Sequence, residues 1–214
     1  FEEIAMVALT ALRPTARETR LLQLVSADEY RDLPDDGNRY ELVRGDMVVA
    51  PTPRRKHQQI ALELAYGLNA FVIKRGFGWA FIAPFDVYLN TYEVYQPDIV
   101  VILKANASRL TEDGMYGPPD LVVEILSPTN RKQDLVVKAT ECAKSGVPEY
   151  WVIDPDVDRI EVNRLHEGAL EALPQKGRFI RSSIVRGFKI ASSQIFTMPA
   201  WMTQPAPSAA HEEG

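Results

Sequence analysis

A chain of 214 residues with 46% apolar and 25% charged side chains has the makeup of an ordinary globular protein, which excludes fibrous and wholly unfolded classes. With 24 basic against 29 acidic residues the net charge is −5, so the whole-molecule field repels nucleic acid, and any such activity needs a local basic surface. No stretch approaches the ~20 apolar residues of a membrane helix, and Phe1 to Thr10 carry no basic region before their short apolar run; with a single cysteine, Cys142, the expectation is a cytoplasmic protein without disulfides or cysteine-based zinc sites.

Residues 1–25 read as a weakly structured lead, residues 26–200 as one domain, and residues 201–214, rich in Pro, Ala and Glu, as a disordered tail. Ser26 to Tyr30 carries the signature of a short capped helix, with Asp28 and Glu29 in its first turn. Tyr40 to Val49 predicts a β-hairpin around Arg44-Gly45-Asp46. From His57 to Lys74, Ile60, Leu64, Leu68 and Val72 recur at helical spacing, and the helix should end before Gly76. Trp79 to Leu89 reads as one long strand interrupted at Pro84. Pro97 to Leu103 and Asp120 to Leu126 are nearly continuous apolar runs, which predicts strands covered on both faces. A helix over residues 132–145, closed by Gly146 and Pro148, precedes a buried strand from Glu149 to Asp154, giving a strand-helix-strand crossover. Arg159 to Leu165 alternates like an outer strand, and a further hairpin or edge strand follows to about residue 190. The order predicts an α/β fold.

Two carboxylates interrupt the apolar strands. Asp98 directly precedes Ile99 to Leu103, and Glu124 sits between Val123 and Ile125, on the face of Val122 and Leu126. An ionised carboxylate there costs several kcal/mol unless something cationic meets it, so either a metal ion or a structural ion pair is implied. Lys138 lies on the flank of the helix stripe formed by Leu135, Ala139, Cys142 and Ala143. It either reaches inward or lies over apolar surface, while Glu141 and Lys144 are expected in solvent.

These residues resemble a known family. Pro97-Asp98 before a buried strand, then Glu124 within Val-Val-Glu-Ile-Leu-Ser-Pro, resembles the PD-(D/E)XK nuclease superfamily. More narrowly, the chain is similar to the Uma-type restriction-endonuclease-like proteins, a widespread bacterial group. Tyr40 to Gly45, Pro53 to His57, Gln96 to Asp98, Pro119 to Pro128, Asp134 to Lys138 and Gly146 to Pro155 carry the match. The lysine of the superfamily pattern is missing, because Leu126 stands two residues after Glu124; Lys138 matches the group's relocated lysine.

The resemblance implies a restriction-endonuclease-like fold with a central mixed β-sheet flanked by helices. It further implies Mg²⁺ or Mn²⁺ held by Asp98, Glu124 and the Ile125 carbonyl, Lys138 as catalytic amine, DNA as substrate and a homodimer. Glu41 matches an early family glutamate and is either a third carboxylate or a solvent-facing hairpin residue. His57 is either a site residue or a capping or packing histidine. Arg54, Arg55 and Lys56, with Arg131 and Lys132 at the mouth of the site, are candidate phosphate contacts. Removing Lys138 is expected to abolish cleavage and leave fold stability nearly unchanged. The alternatives are a catalytically inactive nucleic-acid-binding or assembly module that keeps the fold, and a metal-dependent hydrolase acting on something other than DNA.

Overall fold

The computed structural model describes residues 24–34, 36–127 and 133–202, with the side chains of residues 133–135 left aside. Ser26 caps helix α1 (Ala27–Arg31) by accepting from the Glu29 N–H, while Glu29 accepts from the Ser26 N–H at 2.7 Å, a reciprocal capping box. Strands β1 (Tyr40–Val43) and β2 (Asp46–Val49) form the expected hairpin. Its two-residue turn holds both Arg44 (φ 54°) and Gly45 (φ 77°) in the left-handed region, and a Cβ at Gly45 would collide with Leu24. Helix α2 (Arg55–Arg75) buries Ile60, Leu64, Leu68 and Val72 and ends at Gly76, whose left-handed φ of 64° lets its N–H reach the Ile73 carbonyl.

Beyond α2 the chain departs from the expected single strand. Gly78–Ile82 is β3 and Val87–Asn90 is β4, and the two belong to different sheets, with a cis Ala83–Pro84 bond between them. Proline cannot donate to a ladder, so the strand ends there and the chain crosses over. There follow β5 (Glu93–Tyr95), β6 (Ile99–Leu103), β7 (Leu110–Thr111), β8 (Gly114–Tyr116) and β9 (Leu121–Ile125). Helix α3 (Gln133–Ser145) then leads to β10 (Glu149–Asp154), β11 (Arg159–His166), β12 (Ala169–Ala172), β13 (Phe179–Arg181), β14 (Lys189–Ala191) and α4 (Ser192–Phe196).

The central sheet has the order β12-β11-β10-β9-β6-β3, with β9 and β10 parallel across the α3 crossover and its other neighbours antiparallel. A second sheet, β2-β1-β5-β4-β8-β7, is built from strands of two to four residues. One face of the central sheet carries Ile99, Val123 and Trp151 against Ile60, Leu64 and Leu68 of α2 and against Phe188, Ile190 and Ile195. The other face carries Val100, Val122 and Tyr150 against Cys142 of α3 and against Val87 and Tyr95 of the second sheet. β6 and β9 are therefore covered on both sides, as their apolar runs require.

The architecture is the mixed α/β fold expected from the sequence. Most of the proposed lead and tail, together with Arg131 and Lys132, lies outside the described residues. Among the described residues no helix is long and apolar enough to cross a membrane.

Candidate active site

The antiparallel register of β6 and β9 pairs Ile99 with Val123, which brings the next positions, Asp98 and Glu124, opposite each other at the end of the ladder. Both line one pocket of about 100 Å³ with Glu41, His57, Ile125 and Lys138. The five residues proposed for catalysis thus come from β1, α2, the β5–β6 link, β9 and α3.

Asp98 Oδ2 accepts from the Ile125 backbone N–H at 2.7 Å and lies 3.1 Å from His57 Nε2, within ion-pair distance. Nδ1 of His57 is buried without a hydrogen-bond partner among the described residues. His57 lies in the first turn of α2 with its Nε2 on Asp98, so it belongs to the cluster and does not cap the helix. Glu41 is 6% exposed, lines the pocket and accepts from the Gln96 N–H at 2.8 Å, so it is not a solvent-facing hairpin residue. Lys138 answers the question its helical position leaves open: its ammonium reaches inward, 2.6 and 2.8 Å from the two Glu41 oxygens and 3.7 Å from Glu124 Oε1. It also sits 5.6 Å from the centre of the Tyr95 ring.

Buried carboxylates elsewhere in the fold show what is unusual about Glu124. Glu149 accepts from Trp151 Nε1 at 2.8 Å and from the Ser183 N–H at 2.6 Å. Asp120 accepts from the Leu103 N–H at 2.7 Å and Asn106 Nδ2 at 2.8 Å. Glu124 has no such donors among the described residues and meets only Lys138. Burial pushes its carboxyl up to about 8, against the pull of Lys138 and with help from Asp98 and Glu41. Burial works against the charge of Lys138 too, but the fields of Glu124 and Glu41 outweigh it and hold the ammonium above the ordinary lysine range. One ammonium thus faces both Glu41 and Glu124.

No group of three or more His, Cys, Asp or Glu forms a ready metal cage among the described residues. The oxygens of Asp98 and Glu124 fit a hard divalent ion of the Mg²⁺ type, which takes one or two carboxylates and completes its shell with water and substrate phosphate.

The basic candidates separate. Lys56 is committed to the Pro155 carbonyl and to Asp158, 2.8 Å away, and ties the start of α2 to the β10–β11 turn. Arg55 lines a neighbouring pocket, whereas Arg54 is exposed at the N-cap of α2. Glu141, expected in solvent, is only 8% exposed and is paired with Arg44 at 3.2 Å and Lys144 at 2.9 Å; these neighbours come from the distant hairpin and from its own helix.

Sequence reading misses Arg39. It lines the site with its Nε donating to Gln96 Oε1 at 3.2 Å, and it makes no ion pair among the described residues. Only its closeness to Tyr40-Glu41 in the chain could have pointed to it. The same Gln96 donates to Asp86 Oδ1 at 2.8 Å, which fixes the link that carries Asp98.

A family model described as "Putative restriction endonuclease", Uma2, matches residues 27–193. Among solved structures, the crystal structure of a putative nuclease belonging to DUF820 from Anabaena variabilis ATCC 29413 superposes with a TM-score of 0.68 at 23% sequence identity. The match covers 80% of this chain and 97% of that one, and at this identity it speaks for the fold. No curated protein matches the chain. Because the family model matches residues 27–193, more than half of its length, the chain belongs to the Uma2 family, described as putative restriction endonucleases.

Proposed function

We propose that the protein is a divalent-metal-dependent endonuclease that hydrolyses DNA phosphodiester bonds, with Asp98 and Glu124 as its metal-binding carboxylates and Lys138 as its relocated lysine. The observation that supports this reading is Glu124, a buried carboxylate opposite Asp98, facing a pocket and lacking, among the described residues, the backbone donors that satisfy Glu149 and Asp120. Asp98, Glu124 and the Ile125 carbonyl would hold Mg²⁺ or Mn²⁺, which when bound acidifies a water ligand and draws charge from phosphate oxygens. His57 orients Asp98 through Oδ2. Glu41 anchors Lys138, whose ammonium is then placed to donate to an attacking water or to offset charge developing on the phosphate. Arg39, which lines the site, and Arg55, which lines the adjoining pocket, are the described candidates for phosphate contacts, with Arg54 exposed beside them at the N-cap of α2. Arg131 and Lys132, which lie outside the described residues, are proposed as further phosphate contacts.

A homodimer fits an apolar strip of Tyr66, Ile73 and Trp79, which are 74%, 46% and 51% exposed. Ile73 and Trp79 line one shallow pocket. A reducing cytoplasm suits Cys142, which is buried and unpaired.

One observation favours the inactive-module reading: the ammonium of Lys138 is closer to Glu41 than to Glu124, as in a self-neutralised structural cluster. Nicking of supercoiled plasmid with Mg²⁺ or Mn²⁺, run beside Asp98→Ala, separates the two. Metal-dependent nicking lost in the variant supports the nuclease, and its absence from the folded wild type supports the module.

A further inference from the structure

A second pocket, about 670 Å³ in volume, opens beside the site and shares Arg39, Pro53, His57 and Asp98 with it. Its size falls within the ~300–1,000 Å³ typical of small-ligand pockets. Ile82, Ala83, Pro199 and Met202 give it apolar walls. Three amides, Gln58, Gln59 and Gln194, join them. Gln59 Oε1 is buried without a hydrogen-bond partner among the described residues, while its Nε2 donates to the Thr197 carbonyl at 3.2 Å. Gln194 accepts the Ala191 N–H at 3.2 Å through Oε1.

We propose that this pocket is a nucleoside subsite and that the enzyme takes an unpaired nucleotide, with the base in the pocket and its phosphate at Arg39. The proposal rests on the nuclease reading and names its substrate class. Apolar walls with a few amide groups are what a nucleobase needs: flat faces to cover and edges to pair. Arg39 lines both pockets and has no carboxylate partner among the described residues, so it stands where a phosphate joining the two would lie. Glu63 is the one carboxylate of the second pocket besides Asp98, and it disfavours a phosphate at the far end. A paired, stacked base cannot enter such a pocket. A protein of net charge −5 also gains little from tracking a duplex, whose charge is dense, and more from gripping one base.

The test uses two readouts. Without divalent ions, calorimetry compares thymidine 5′-monophosphate with inorganic phosphate on wild type and on Ile82→Asp, a position 53% exposed and therefore compatible with folding. Wild type should bind the nucleotide about 10- to 100-fold more tightly than phosphate, and the variant should lose that difference. With Mg²⁺ or Mn²⁺, a single-stranded oligonucleotide should be cut with a kcat/KM about 10-fold or more above that of the same sequence in a duplex, and Ile82→Asp should erase the preference. Hydrolysis of bis(p-nitrophenyl) phosphate by wild type, which needs no base, reports the nuclease chemistry separately. Active wild type with equal affinity for nucleotide and phosphate, or with equal cutting of single strand and duplex, overturns the subsite alone. A change of oligomeric state in Ile82→Asp without loss of nucleotide binding assigns the pocket to a second copy and also overturns it. Wild type inert toward every phosphodiester overturns the nuclease reading, and nucleotide binding by calorimetry then still decides the subsite.

Discussion

Replacing Lys138 by Met removes the one ammonium shared by two buried carboxylates, Glu41 at 6% and Glu124 at 9% exposure. Methionine keeps the length of the side chain, so the effect is electrostatic rather than a cavity. Breaking a buried pair by deleting one partner typically costs about 3–5 kcal/mol, because the other charge stays buried without compensation. For a chain of this length that lowers Tm by about 6–20 °C. The expectation from the sequence, a lysine whose loss leaves stability unchanged, is therefore revised by its burial against two acids.

The loss should depend on pH. The folded pKa of Glu124 lies near 8, above its unfolded value of 4.5, so its proton stabilises the fold fully below the unfolded value, and that contribution is lost as pH rises through 8. The metal-free wild type should accordingly lose stability over that window, by at most about 1.4 kcal/mol per pH unit from this group. Lys138→Met should suffer most at the alkaline end. Adding Glu41→Gln to Lys138→Met should restore stability, with a coupling of about 0.5–3 kcal/mol. Urea melts of the metal-free proteins at pH 5 and pH 8.5 measure all of this. A Lys138→Met protein as stable as wild type at both pH values would refute the inward ion pair and leave a lysine lying over apolar surface.

Three further outcomes are expected. Mg²⁺ binding between pH 5 and 8 should release protons, since Glu124 must shed one to bind; calorimetry in two buffers of different ionisation enthalpy reads this, and Glu124→Gln should abolish it. His57→Ala should weaken metal affinity or nicking about 10- to 100-fold with little change in fold, because it supports Asp98 without being a metal ligand in this account; titration with Mn²⁺ checks it. Tyr66→Asp with Trp79→Asp should convert a dimer to a monomer in sedimentation velocity, and an unchanged sedimentation coefficient would move the interface elsewhere.

The central strands were legible because burial on both faces writes itself into composition: β6, β9 and β10 are apolar nearly throughout, and the acids at positions 98 and 124 stand out against them. The second sheet was harder to read. β5, β7 and β8 are two or three residues long, and partners distant in sequence define them more than any internal pattern does, as when Val87 and Tyr88 pair in parallel with Met115 and Tyr116. Proline at position 84 signalled a break, but not that the chain changes sheets there. The direction of Lys138 and the burial of Glu141 share one cause. Helical periodicity gives an angle around α3, while Glu41, Glu124 and Arg44, which draw those side chains inward, come from β1, β9 and the hairpin turn.

The central claim is that Asp98 and Glu124 form a hydrolytic metal site, and nicking of supercoiled plasmid by wild type and Asp98→Ala, each with Mg²⁺, Mn²⁺ or EDTA, tests it most directly. Wild type should nick only with a divalent ion, and a folded Asp98→Ala protein should not nick above background. Equal nicking by both proteins, or nicking that persists in EDTA, would contradict it.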